Sequence, residues 1–308
     1  MVESFYFTSS TGNKVYAQKW INKDITEYKG IIQLVHGMQE HIGRYDEFAN
    51  LLSECGYIVV GHDHLGHGNT VKKEDDFGYF ADKDGWDRLV EDIHILQNQI
   101  QKQYPNLPYV IMGHSMGSLL VRTYVTKYKD NLSGMIISGT SGQKGGLLIL
   151  GKMLTKLIML FKGKRYKSKV LEYLVTGSFN KKFKPNRTNV DWTTRDEWAV
   201  DKYKKDPKCG KNFTAIAYYD LLNGTYYLSK QKNINKTLKI PVLIFSGDKD
   251  PVGENAKGVI RVYNMLKKAG LDKVKIRLFK DGRHEMLNEI NKEEVYYLIL
   301  DWLKEIIG

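Results

Sequence analysis

Tyr109-Val110-Ile111-Met112-Gly113-His114-Ser115-Met116-Gly117 is the stretch on which the fold turns. Its first four residues make a short apolar strand, and helical spacing runs from Met116 through Leu119 to Tyr128. Between them lies G-x-S-x-G, so a serine stands where a strand gives way to a helix. Glycines at both ends let the backbone pass a strained turn and present the hydroxyl at the edge of a sheet. The five residues alone would also fit a serine N-cap between two turn glycines. The strand before and the helix after favour a nucleophile.

Outward from this turn the same rhythm repeats. Upstream, Gly30 to Val35 and Tyr57 to Val60 are short apolar runs, each followed by a loop, at His36-Gly37 and at His62 to Gly68. Tyr45 to Leu52 and Trp86 to Gln103 carry apolar residues at helical spacing. Downstream, Met135-Ile136-Ile137, Val242 to Phe245 and Val274 to Phe279 read as strands, with helices around Val259 to Lys268 and Val295 to Ile307. Ser4 to Phe7 and Lys14 to Ala17 flank the turn Thr11-Gly12-Asn13 and read as a hairpin. Unbroken apolar strands alternating with amphipathic helices predict an α/β fold with a mostly parallel central sheet flanked by helices. Residues 139–229 break the rhythm with helix-like apolar stretches, and are expected to form a mainly helical cap inserted between core strands. The core is then 1–138 and 230–308.

Composition sets the class. The 308 residues are 42% hydrophobic and 27% charged, as in a globular protein. Between Lys144 and Lys184 eleven basic residues face the single acid Glu172, so this window carries +10 of the formal +12. One basic insertion suggests a local partner rather than nucleic acid, and no nucleic-acid-binding fold is recognisable in it. Two cysteines, Cys55 and Cys209, exclude a disulfide framework or a cysteine-built zinc site. No leader-like segment opens the chain, and the longest apolar stretch, Leu147 to Phe161, is broken by Lys152, Thr155 and Lys156. The expectation is a cytoplasmic protein, peripheral to the membrane if the basic cap meets an anionic surface.

A serine hydroxyl needs a base, and the base an orienting carboxylate. In a strand-turn-helix nucleophile fold these follow the serine as acid, then histidine. Of the eight histidines only His284 follows Ser115, in the loop after the strand ending at Phe279. The acid should follow Val242 to Phe245, where Asp248 and Asp250 both stand. Asp250 is favoured, because Pro251 stiffens the chain behind it, leaving Asp248 as a turn residue. Backbone N–H groups of Met116 and of Met38, in the turn after His36-Gly37, are the expected oxyanion donors.

Together His36-Gly37-Met38-Gln39-Glu40-His41-Ile42-Gly43-Arg44-Tyr45, Asp63 to Gly68, Gly113 to Gly117, Gly247 to Asp250 and His284 resemble the α/β-hydrolase superfamily. Within it they are most similar to the monoacylglycerol lipase and lysophospholipase group of serine hydrolases. The resemblance covers most of the chain outside the cap, and H-G-x-x-E-H-x-x-R-Y is its most specific part. It implies the α/β-hydrolase fold, esterase chemistry on acyl glycerols without a cofactor, and the triad Ser115, Asp250 and His284. It also implies a structural Glu40–Arg44 pair.

Other readings are set beside this one. His62 to His67 superficially suggests a metal cluster, but Gly66 stands where a ligand aspartate would be needed, so no metal is expected and Asp63 should brace the loop. The apolar helix of the cap could line an acyl tunnel over Ser115 through Leu147, Leu150, Met153, Leu154 and Leu157, with a small lipid ester as ligand. It could instead lie on a lipid surface, with Lys152 and Lys156 one turn apart. A thioesterase or aminopeptidase of the same fold would share every motif quoted, whereas a complete triad with oxyanion turns argues against a ligand-binding protein on this fold.

Overall fold

A computed structural model describes all residues, 1–308. Eight strands form one sheet in the order β1-β2-β4-β3-β5-β6-β7-β8. They are β1 Val2–Thr8, β2 Lys14–Trp20, β3 Gly30–Val35, β4 Tyr57–His62, β5 Tyr109–His114, β6 Gly134–Ser138, β7 Val242–Gly247 and β8 Val274–Phe279. The hairpin β1–β2 joins β4 antiparallel, and every later pairing is parallel. Every residue of β3, β4, β5, β6 and β7 is buried, which explains why these strands lack polar alternation.

The helices are α1 Asp46–Glu54, α2 Gly85–Gln103, α3 Met116–Lys127, α4 Gly145–Lys162, α5 Lys169–Glu172, α6 Glu197–Lys205, α7 Ala215–Leu228, α8 Gln231–Ile234, α9 Lys257–Lys268 and α10 Lys292–Ile307. The pleat divides the side chains between two cores. Tyr109 and Ile111 pack with Leu120 of α3, Tyr218 of α7 and Val259 of α9 on one face. Val110 and Met112 pack with Phe48 of α1 and Trp302 of α10 on the other.

Between β6 and β7 the chain leaves the sheet for α4 to α8. α4 packs along α7, whose Ala217, Tyr218 and Leu221 join the main core. Gly224 fits here because a Cβ would lie 2.0 Å from Cε2 of Trp86 on α2. Bulk at that point would push α7 off the sheet domain.

Candidate active site

The carboxyl ends of β3, β5, β7 and β8 meet at one edge of the sheet, where open α/β sheets bind ligands. Ser115 caps β5 with φ 53° and ψ −119°, a conformation that costs a residue with a Cβ. The turn is held from both sides. Ser115 N–H donates to the Ser138 carbonyl at 3.0 Å, and Ser118 Oγ donates to the Ser115 carbonyl at 2.6 Å. A Cβ on Gly117 would stand 2.0 Å from the Val35 carbonyl oxygen, so only glycine lets α3 start this close to β3. Ser115 Oγ has no hydrogen-bond partner within the chain, and Ser115 lines the large cavity described below.

His284, in the loop after β8, lines the same cavity. Its Nδ1 donates to Asp250 Oδ2 at 2.9 Å, which leaves Nε2 as the acceptor of a neutral ring. Asp250 is fully buried, and its carboxylate also accepts from Ser246 Oγ at 3.0 Å and Val252 N–H at 2.9 Å. Burial opposes charge on both groups. The opposite charge and hydrogen bond of the partner outweigh it, so His284 titrates above its ordinary value and Asp250 below its own. Asp248 lies apart: its Oδ1 accepts from Asp281 N–H at 2.9 Å, and Lys249 Nζ is 3.5 Å away. Trp192, from the segment between α5 and α6, covers His284 with ring centroids 5.2 Å apart.

Met38 follows β3, and Met116 opens α3. Neither N–H is donated within the chain, and both residues line the cavity beside Ser115. The turn that carries Met38 is fastened by charge. Glu40 Oε1 accepts from Gly37 N–H at 2.6 Å and from Tyr45 OH at 2.9 Å. Arg44 donates to Glu40 Oε2 at 2.6 Å, completing the expected i,i+4 pair, and forks onto Glu285 at 3.0 and 2.6 Å. Glu285 directly follows His284, so one guanidinium ties the Met38 turn to the histidine loop. Burial works against the Glu285 anion, but the charge and hydrogen bonds of Arg44, with smaller help from His114 and Asn288, hold its carboxyl well below the ordinary range. Sequence reasoning missed Glu285. Its signal was an acid beside His284, and its partner stands 241 positions away.

The histidine-rich loop supports this turn from behind. His36 Nε2 accepts from His64 N–H at 3.0 Å, and His64 Nδ1 lies 3.2 Å from His62 Nε2. Asp63 braces the loop by accepting from Ile42 N–H at 2.8 Å and Asn69 N–H at 2.6 Å. Burial pushes His62 down to about 3 and His67 to about 4, so both are neutral at physiological pH.

The cavity over Ser115 measures about 1680 Å³. Of the five cap residues expected along a tunnel, Leu147, Leu150 and Leu154 line it. Met153 and Leu157 do not, and are 62% and 55% exposed. The reason is helical phase. Leu147, Leu150 and Leu154 share one face of α4 at spacings of three and four, whereas Met153 and Leu157 share the next face round. Apolar residues nearly encircle this helix, so periodicity alone could not separate the faces. The two lysines expected at a lipid surface turn instead towards α7: Lys152 Nζ lies 4.8 Å from the Tyr226 ring centroid and Lys156 Nζ 5.5 Å from that of Tyr219.

Residues 26–291 match the model of the family described as serine aminopeptidase, S33. A monoacylglycerol lipase of Mycolicibacterium smegmatis is 26% identical over 90% of this chain and 89% of its own length. The rat monoglyceride lipase is 24% identical over 98% of this chain and 91% of its own. Among solved structures, a thermostable carboxyl esterase from Bacillus coagulans in complex with glycerol superposes with a TM-score of 0.92. It is 29% identical, with 100% of this chain and 99% of the esterase covered. A monoglyceride lipase variant from Saccharomyces cerevisiae, at 18% identity and a TM-score of 0.78 over 99% and 96% of the two chains, shares the fold. With a match spanning most of its length, the chain belongs to the serine aminopeptidase S33 family of α/β-hydrolases, as a monoacylglycerol lipase-like serine hydrolase.

Proposed function

We propose that the protein hydrolyses the acyl ester of a monoacylglycerol or lysophospholipid-like substrate through an acyl-enzyme. Ser115 Oγ attacks the acyl carbon while His284 Nε2 takes its proton. Asp250 holds the imidazole and stabilises its charged form. The N–H groups of Met38 and Met116 receive the oxyanion. His284 then gives the proton to the departing glyceryl oxygen, and a water, deprotonated by the same nitrogen, releases the fatty acid. The observation that carries the reading is the buried Asp250–His284 hydrogen bond opening onto the same leucine-lined cavity as Ser115. The absence of a Ser115–His284 hydrogen bond is compatible with it, since such bonds commonly tighten only around substrate. A fluorophosphonate probe tests the first step. Labelling of Ser115 that is lost in Ser115→Ala supports it, and labelling that survives the substitution refutes it.

The family's description names an aminopeptidase, and the cavity argues for the ester. A peptide with a free α-ammonium calls for an unpaired carboxylate. Of the acids lining the cavity, Glu40 and Glu285 are bound to Arg44, and Glu254 pairs with Arg261. Glu172 alone is without a paired cation, with burial raising its pKa and the charge of Lys169 opposing that rise. A panel of matched esters, thioesters and peptide amides separates the specificities.

The outer face of α4 supports peripheral contact with an anionic membrane. Met153, Leu157, Leu160 and Phe161 are all more than half exposed, and Lys162 and Lys164 follow them. No helix is long and apolar enough to cross a membrane.

A further inference from the structure

The cavity has two unlike arms. Between α4, α5 and α7 its walls are Leu148, Leu150, Leu154, Leu171 and Leu222, and a Cβ on Gly151 would meet Leu222 at 3.3 Å. The other arm lies under the segment 179–193 and the end of α6. Asn180 Nδ2 donates to the Thr188 carbonyl at 2.7 Å, and Asn180 Oδ1 accepts from Trp192 N–H at 2.8 Å. Lys204 Nζ donates to Asn189 Oδ1 at 2.9 Å, and Tyr203 OH donates to the Gln39 carbonyl at 3.1 Å, beside the Met38 turn. Amides, hydroxyls and ammonium groups thus share this arm with Phe179, Val190 and Trp192.

Its charge is one-sided. Lys181, Lys184 and Lys204 line it, and none of them pairs with a carboxylate. Lys181 Nζ has only the face of Tyr173, 5.4 Å from the ring centroid. The neighbouring acids are already engaged. Asp191 accepts from Arg187 N–H at 2.7 Å and Thr188 N–H at 3.0 Å, and Asp201 and Glu197 lie against the Arg187 guanidinium.

The proposed reaction sets the direction in which a substrate lies. A base that returns its proton to the leaving oxygen must stand on the alcohol side of the scissile bond. Trp192 covers His284 and hangs from Asn180, so the polar arm opens beside the base, and the leucine arm is left for the acyl chain. All three ammonium groups reach solvent, so water satisfies them beside a neutral head, whereas an anionic head would gain their combined attraction.

We propose that the alcohol portion of the preferred substrate is anionic: a single-chain acyl glycerol carrying a phosphate, held by Lys181, Lys184 and Lys204. This inference rests on the ester hydrolase reading above and narrows its substrate class. No group is transferred to the phosphate. Water still splits the acyl ester, releasing a fatty acid and a glycerol phosphate.

The test compares octanoylglycerol with its phosphate monoester on the terminal glycerol hydroxyl. Both are used as monomers, so that no lipid surface contributes. The intact protein should favour the phosphate ester. The triple variant Lys181→Gln/Lys184→Gln/Lys204→Gln should lose about 10- to 100-fold of that preference, through KM on the phosphate ester. A charge-matched control, Lys257→Gln/Lys268→Gln/Lys273→Gln on the sheet domain, should keep the preference. Hydrolysis of the neutral ester with no gain from phosphate overturns the inference alone. Equal loss in both triple variants overturns it too, because a general field rather than a site would then be acting. If neither ester is cleaved and Ser115 resists the fluorophosphonate probe, the hydrolase reading falls and takes this inference with it.

Discussion

At the carboxyl edge of the sheet, Asp250 and His284 are buried and joined to each other, and Ser115 sits in a strained turn clamped by β3, β6 and α3. Between β6 and β7, by contrast, α4 leaves Met153, Leu157 and Leu160 in solvent, and Lys181 and Lys184 carry no ion pair. The framework of the first region is over-determined: Asp250, Glu40, Arg44 and Glu285 each have two or more partners, so one geometry is far below the rest in energy. The second has apolar and cationic surface without partners inside the chain. The edge holds one arrangement of side chains, and the segment between β6 and β7 presents surface that the chain itself leaves uncovered.

The comparison predicts that substitutions at the edge act on turnover, whereas substitutions in the cap act on what is bound. Ser115→Ala should lower kcat by about 10^6-fold, measured on a soluble chromogenic ester, while thermal unfolding changes little. Asp250→Asn should cost about 10^4-fold by favouring the wrong tautomer of His284. Its pH profile is the sharper readout. The proposed mechanism requires neutral His284, whose pKa is raised above its ordinary 6.5, so kcat/KM should fall as the pH drops through a midpoint above that value. Without the Asp250 charge, burial of His284 prevails and the midpoint should move downward. A midpoint that stays in place would mean that Asp250 does not govern the histidine.

Glu285→Gln tests how far the edge extends. Arg44 would keep Glu40 but lose its forked partner in a buried site, at a cost of about 3 kcal/mol in urea unfolding. Because the same guanidinium ties the Met38 turn to the His284 loop, kcat should fall by about 100-fold with KM little altered. A stability loss with normal kcat would confine Glu285 to folding.

How much of this was legible in the sequence follows the same division. The strands beneath the edge were readable because Gly30–Val35, Tyr109–His114 and Val242–Gly247 are buried on both faces and therefore continuously apolar. Chain order singled out His284 and the proline behind it Asp250, and the structure brings these two side chains together. Glu285 was not, because an ion pair spanning the chain has no local pattern. The facing of α4 was not either. A helix apolar nearly all round has no periodic signal to say which leucines meet a cavity, and only its packing on α7 decides between Leu150 and Met153.

In the cap the expected effects are smaller and change selectivity. Leu150 lines the cavity yet is 65% exposed, so Leu150→Trp should cost little stability. The indole would shorten the leucine arm. Rates on glyceryl esters of graded chain length should then peak at shorter acyl chains, with about tenfold loss on the longest. An unshifted optimum would place the acyl chain elsewhere.

The smallest effect belongs to the face of α4 that the cavity does not use. Met153→Ser/Leu157→Ser/Leu160→Ser removes apolar area already in water, so the folded state gives up almost no burial and should melt close to the parent. If the face inserts among lipid headgroups, that area is what the membrane covers, and sedimentation with anionic vesicles should show about fivefold weaker association. Salt separates the two contributions. Attraction through Lys162 and Lys164 is screened as ionic strength rises, whereas the apolar contribution persists, so the triple variant should dissociate at lower salt than the parent. Equal retention of parent and variant across the salt series would assign any membrane affinity to charge alone. The exposed leucines of α4 would then have to be explained by a partner other than lipid.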